Sequence, residues 1–170
     1  MLGKAMLTTM FDYNAAMNVR LLEFAANLSD EQLDAPSDYS IGSLRQTLWH
    51  TLIVEYGWRS QCQGINARAL PSPVEPTASV AAFRAFQQEE VARVRALLAD
   101  ASDDDLAGTM TLKRPDGSER ILTRWQILVH ILYHSAQHRS EMAETLTHDG
   151  HSPGDLDFIF YIGSGGTMTD

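Results

Sequence analysis

Residues 123–150, TRWQILVHILYHSAQHRSEMAETLTHDG, decide the fold. Within them Ile127, Ile131, His134, His138 and Met142 follow one another at steps of four, three, four and four, so they share one stripe of a helix. Thr123 supplies the polar residue that opens such a helix. The helix runs to about Thr147, and Asp149-Gly150 stands where a left-handed C-terminal residue is wanted. The stripe faces a core, so its two histidines face inward. Residues four apart stand about 6 Å apart along the axis with side chains nearly superposed, and two imidazoles so placed can reach one metal ion from the same side.

Working outward, Met10, Asn14, Met17, Leu21, Phe24 and Leu28 mark one face of a first helix, in which Asn14 is the odd member. Ser29-Asp-Glu-Gln32 has the pattern of a capping box and predicts a short helical turn ended near Pro36. Ser40 or Ser43 opens a second long helix reaching about Gly64. Leu44, Leu48 and Leu52 lie on one side of it and His50, Ile53, Val54 and Gly57 on the other, so it is expected to be deeply buried. Asn66 to Pro76, with three prolines, reads as a crossover linker. Thr77 is expected to cap a third helix, whose Val80, Phe83, Phe86, Val91, Val94 and Leu97 form a broad apolar face. Ser102 to Asp105 reads as a polar break, and Pro115-Asp-Gly-Ser118 as the turn of a small hairpin. The expected fold is all-α: a four-helix bundle with a long crossover linker and a small hairpin before the last helix. Residues 1–162 are expected to form one domain and 163–170 a flexible tail.

The 170 residues, 44% of them hydrophobic, suffice for one core and are short for two. A net charge of −9, with the 13 basic residues scattered, argues against nucleic acid as a partner. No stretch approaches the roughly 20 apolar residues of a membrane span, and neither a signal peptide nor a lipid-anchor motif is legible. A single cysteine, Cys62, excludes an internal disulfide and a multi-thiolate zinc site. A soluble protein of the reducing cytoplasm is the expectation.

A third ligand for the pair on the last helix must come from elsewhere, and His50 is the natural candidate, because an imidazole on an apolar side of a buried helix needs a partner. Three neutral imidazoles leave coordination positions open, as in catalytic rather than closed sites. An ion held this way acidifies a water, polarises a substrate oxygen or binds a thiolate, and zinc, nickel and ferrous iron all suit nitrogen ligands. The alternative is a hydrogen-bonded histidine network without metal. His130 lies about 12 Å along the axis from His138, too far to share the ion, and is read as a group supporting a ligand or as an alternative ligand. Asn14 and Glu90 interrupt apolar faces and could bond a water or a ligating imidazole. Glu141, three residues after His138, and Glu90 are the candidates for a general base. Cys62 reads as packing, His148 and His151 as helix-end groups, and Gly163-Ser-Gly-Gly166 is no phosphate loop, since no helix follows it. The His-Glu-x-x-His motif of metalloproteases is absent.

The run Leu128-Val-His-Ile-Leu-Tyr-His134-Ser-Ala-Gln-His138-Arg139 resembles the last-helix motif of the DinB-like metal-binding bundles. Tyr13-Asn14 with Arg20-Leu21-Leu22 resembles the family's first helix, and Ile41-Gly-Ser-Leu-Arg-Gln-Thr-Leu-Trp-His50, followed by Trp58, resembles the segment bearing its first ligand. The resemblance covers nearly the whole chain. It implies metal binding by His50, His134 and His138 and a homodimer; the family name implies no action on DNA. Ser140 stands where the family usually has glycine. Relatives in the wider superfamily include thiol-cofactor-dependent transferases and isomerases. Two functions are therefore expected: a metal-dependent transferase or hydrolase acting on a small molecule, with a thiol cofactor as one option, or a non-catalytic homodimeric module that binds a metal or small molecule.

Overall fold

Three of the four long helices begin where a polar side chain can close the first turn. Ser43 Oγ accepts from the Gln46 amide and Ser79 Oγ from the Ala82 amide, and Gln126 Oε1 accepts from the Thr123 amide at 2.9 Å. A computed structural model describes residues 3–39, 41–113 and 116–166. Its long helices are α1 (Lys4–Ala25), α3 (Leu44–Cys62), α4 (Val80–Asp100) and α6 (Arg124–His148), with short helices α2 (Asp30–Asp34), α5 (Asp103–Ala107) and α7 (Phe158–Gly163) between and after them. Strands β1 (Thr109–Lys113) and β2 (Glu119–Thr123) form an antiparallel hairpin in which Thr109 faces Thr123 and Lys113 faces Glu119.

Both α1 and α3 pack against α4 and α6, so α1 and α3 stand on one diagonal of the bundle and α4 and α6 on the other. Arg95 pairs with Asp12 and Arg84 with Glu23, so α1 and α4 run in opposite directions. Tyr56 packs on Phe86 and Arg59 pairs with Glu90, which makes α3 and α4 parallel neighbours. Parallel neighbours cannot be joined by a tight turn, and the proline-rich crossover is the physical answer: it returns the chain along the bundle. Trp49 Nε1 fastens it by donating to Val74 O at 2.9 Å, and Arg45 Nη1 by donating to Ala78 O at 3.0 Å.

The apolar core is in two parts. Leu21, Leu22, Leu48, Leu52, Phe83, Met142 and Leu146 fill one end, and Leu7, Phe11, Leu98, Leu106, Ile127, Leu128 and Ile131 the other. Between them lies a layer of buried polar side chains: Asn14 and Asn18 of α1, Glu55 of α3, Ser135 and Arg139 of α6.

The all-α bundle, the crossover and the hairpin stand as expected, with local corrections. Ser79 rather than Thr77 caps α4. The polar break at Ser102–Asp105 is the start of α5, where Ser102 and Asp105 form a reciprocal capping box; the acidic run suits a helix N-terminus, and Leu106 is buried beneath it. Phe158–Gly163 forms α7, with Tyr13 edge-on to both Phe158 and Tyr161. It runs across the expected boundary between domain and tail. Of the tail, residues 167–170 lie outside the described residues, as do Ser40 and Pro115. Among the described residues no helix is long and apolar enough to cross a membrane.

Candidate metal centre

His50 comes from the first half of α3, and His134 and His138 from successive turns of α6. Because α3 and α6 run antiparallel against each other, the three rings meet. His134 Nε2 lies 3.2 Å from His50 Nε2 and 3.2 Å from His138 Nε2. The ligand atoms all fall within 4.8 Å of one another. His138 is buried, and His50 and His134 are half-buried. Glu141, one turn beyond His138, sets its Oε2 2.6 Å from His138 Nδ1. That carboxylate accepts the Nδ1 proton and leaves the Nε2 lone pair aimed at the other two rings.

The donor set fits a cation better than it fits itself. With the proton of His138 on Nδ1, a neutral His134 has at most one N–H for two 3.2 Å contacts, and its Nδ1 is buried with no hydrogen-bond partner among the described residues. Hydrogen bonds within the cluster therefore leave one contact poorly made; a shared ion takes all three lone pairs at once. The spacing agrees. Ion–nitrogen bonds of about 2.0–2.1 Å place ligands about 3.3 Å apart in a tetrahedron and about 2.9 Å apart in an octahedron. Burial is the main reason that the His134 pKa falls to about 4, with the like charges of His138, His50 and His130 adding to it. Burial likewise lowers that of His50. Both rings are thus neutral, as ligands must be, at neutral pH.

The polar layer beneath the histidines holds α6 in register. Asn14 and Asn18, one turn apart on α1, donate through Nδ2 to Glu55 Oε1 at 2.7 and 3.0 Å. Through Oδ1 both accept from Arg139 Nη1, so two amides join a buried carboxylate to a buried guanidinium. Ser135, between the two α6 histidines, also donates to Glu55 Oε1. Burial raises the Glu55 pKa against these hydrogen bonds and the Arg139 charge, which lower it.

The other candidates are placed differently. Asn14 serves Glu55 and Arg139 and bonds no imidazole. Glu90 is held by Arg59 and Arg93. Glu141 is engaged by His138 through one oxygen and by Gln137 through the other, the position of an orienting group rather than a free base. His130 is exposed, edge-on to Trp58 with ring centroids 5.2 Å apart, and lies 5.8 Å from the His134 ring. Cys62 is buried, which raises its pKa to about 11 and keeps it a thiol. Sequence reasoning missed Glu55, Asn18 and Arg139 as members of one layer. The available signal was Asn14 and Asn18 four apart on an apolar face, with Glu55 in a helix read as buried.

Among solved structures, YfiT from Bacillus subtilis, described as a probable metal-dependent hydrolase with an unusual four-helix bundle topology, shares the fold at a TM-score of 0.69. The sequences are 20% identical, over 89% of this chain and 92% of that one. No curated protein matches the chain. The family model of the DinB family matches residues 1–167, and the chain belongs to that family.

Proposed function

We propose that the chain is a divalent-metal-dependent enzyme that acts on a small molecule by hydrolysis or by transfer to or from a thiol. One observation carries this reading: three imidazole Nε2 atoms from two helices converge, that of His134 3.2 Å from each of the other two, with the most buried ring oriented by a carboxylate. His50, His134 and His138 would hold the ion. Bound there, a divalent ion supplies a Lewis acid with open positions, the requirement shared by hydrolysis and thiol transfer. The chain's own part is orientation and charge. Glu141 keeps the His138 proton on Nδ1, burial keeps His134 neutral, and the polar layer fixes the turn of α6 that carries both rings. The description of YfiT as a probable metal-dependent hydrolase of the same fold favours hydrolysis.

Elemental analysis of protein purified without a histidine tag tests the reading. About one zinc, nickel or iron per chain is expected, absent from His134→Ala, with the melting temperature of the wild type raised by the ion and lowered by chelator. Protein that carries no ion and melts at the same temperature with and without added metal would end it. Hydrolysis of an ester and amide panel against conjugation of low-molecular-weight thiols then separates the two chemistries, and either must disappear on chelation.

A further inference from the structure

Seven residues after His50, and so about 10 Å further along the same face of α3, Gly57 occupies the interior of a helix. A Cβ built there meets nothing within 4 Å beyond its adjoining residues and the backbone of its own helix. The glycine answers no close packing and no unusual backbone angle, and a glycine inside a helix weakens it. What it leaves is space. The space belongs to a groove of about 700 Å3 walled by α3, the crossover near Leu70 to Pro73 and the hairpin. Its α3 wall includes Trp49, Ile53, Val54, Gly57 and Trp58, of which Trp49, Ile53 and Val54 are the neighbours of His50 in sequence and on the next turn. The groove therefore lies along the face of α3 that carries His50, although none of the three histidines is among its lining residues.

The other side is cationic. Lys113 and Arg120, from the two strands of the hairpin, line the groove with no Asp or Glu among the lining residues. Neither has an ion-pair partner among the described residues, in a chain whose net charge is −9. Glu119 faces Lys113 in the strand register but is not part of the lining. Lys113 shares its face of the hairpin with Glu119, whereas Arg120 shares the other face with Leu112, so Arg120 is the uncompensated cation beside the aromatic walls and matches a ligand with an apolar or aromatic body and an anionic group.

We propose that this groove binds an amphipathic small anion, its apolar body on Trp49, Ile53 and Trp58 and its negative group at Arg120, with the opposite end directed along α3 toward His50. The last part rests on the metal-dependent reading above; the ligand class does not. The probe is 8-anilinonaphthalene-1-sulfonate, titrated by fluorescence into purified protein, with neutral N-phenyl-1-naphthylamine as its uncharged counterpart and metal content measured on every sample. Saturable binding at one site is expected, at least tenfold weaker in Arg120→Glu and abolished in Gly57→Phe and Gly57→Leu, all with unchanged metal content and no loss of melting temperature. His134→Ala is expected to lose the ion and keep the dye within about twofold, so failure of the metal reading and failure of the groove leave different marks. Unchanged dye binding in the Gly57 variants would overturn the site, and equal binding of the neutral dye with no response to charge reversal would overturn the anionic class. Conversion of a dimer to a monomer by Gly57→Phe would make the groove an interface between copies, and would overturn it too.

Discussion

At the scale of single residues, the contact between His138 and Glu141 separates a set of ligands from a set of histidines. The carboxylate 2.6 Å from Nδ1 fixes the tautomer, and removing its charge leaves all three rings in place while loosening one. Glu141→Gln is therefore expected to weaken metal affinity about 10- to 100-fold, the usual effect of losing such a partner, and competition with a chromophoric chelator measures it. Arg139 is a second such residue. It is buried, it is held by the amides of Asn14 and Asn18 and the face of Tyr13, and Arg139→Met would remove the charge that answers the buried Glu55. A loss on the order of 3 kcal/mol is expected in urea unfolding, with part of it restored by the double variant R139M/E55Q.

At the scale of elements, two glycines with open space around their Cβ positions make opposite predictions. Gly57 lies within α3, so Gly57→Ala is expected to raise stability by up to about 1 kcal/mol. Gly150 ends α6 at φ +82°, so Gly150→Ala is expected to lower it by about 1 kcal/mol. Thermal melts of the chelated proteins check both signs. The same elements show what the sequence made legible. The stripe Ile127, Ile131, His134, His138 fixed the inward face of α6, and the pattern at Ser29 and Gln32 located the start of α2 to the residue. The burial of α3 was half right: Leu48 and Leu52 enter the core, whereas Ile53, Val54 and Gly57 face a groove. Periodicity reports which residues share a face and not what covers it. Acidic residues at Asp103–Asp105 read as a break because charge was weighed above the capping pair Ser102 and Asp105. The Glu55 layer was hidden because its members come from three helices, and their meeting depends on the diagonal order of the bundle.

At the scale of the whole molecule, that order explains why the core is split. Antiparallel α3 and α6 bring His50 to His134 and His138, and the polar layer beside them ties both helices to α1. Its presence has a signature in pH. Burial raises the Glu55 pKa in the folded chain above its ordinary value of 4.5. The folded state then holds that proton more tightly than the unfolded state, so this contribution is complete below the unfolded value and is lost as pH rises through the folded one. Chelated Glu55→Gln is expected to lack this part of the fall in stability as pH rises above 4.5, as read by urea titration against the wild type.

Three converging nitrogens are the centre of the account, and cobalt tests them most directly. Titration of Co2+ into metal-free protein, followed in the visible d–d bands, should saturate at about one equivalent per chain, with bands lost in His50→Ala as well as in His134→Ala. Bands that survive His50→Ala unchanged would place the ion away from α3 and contradict the shared site.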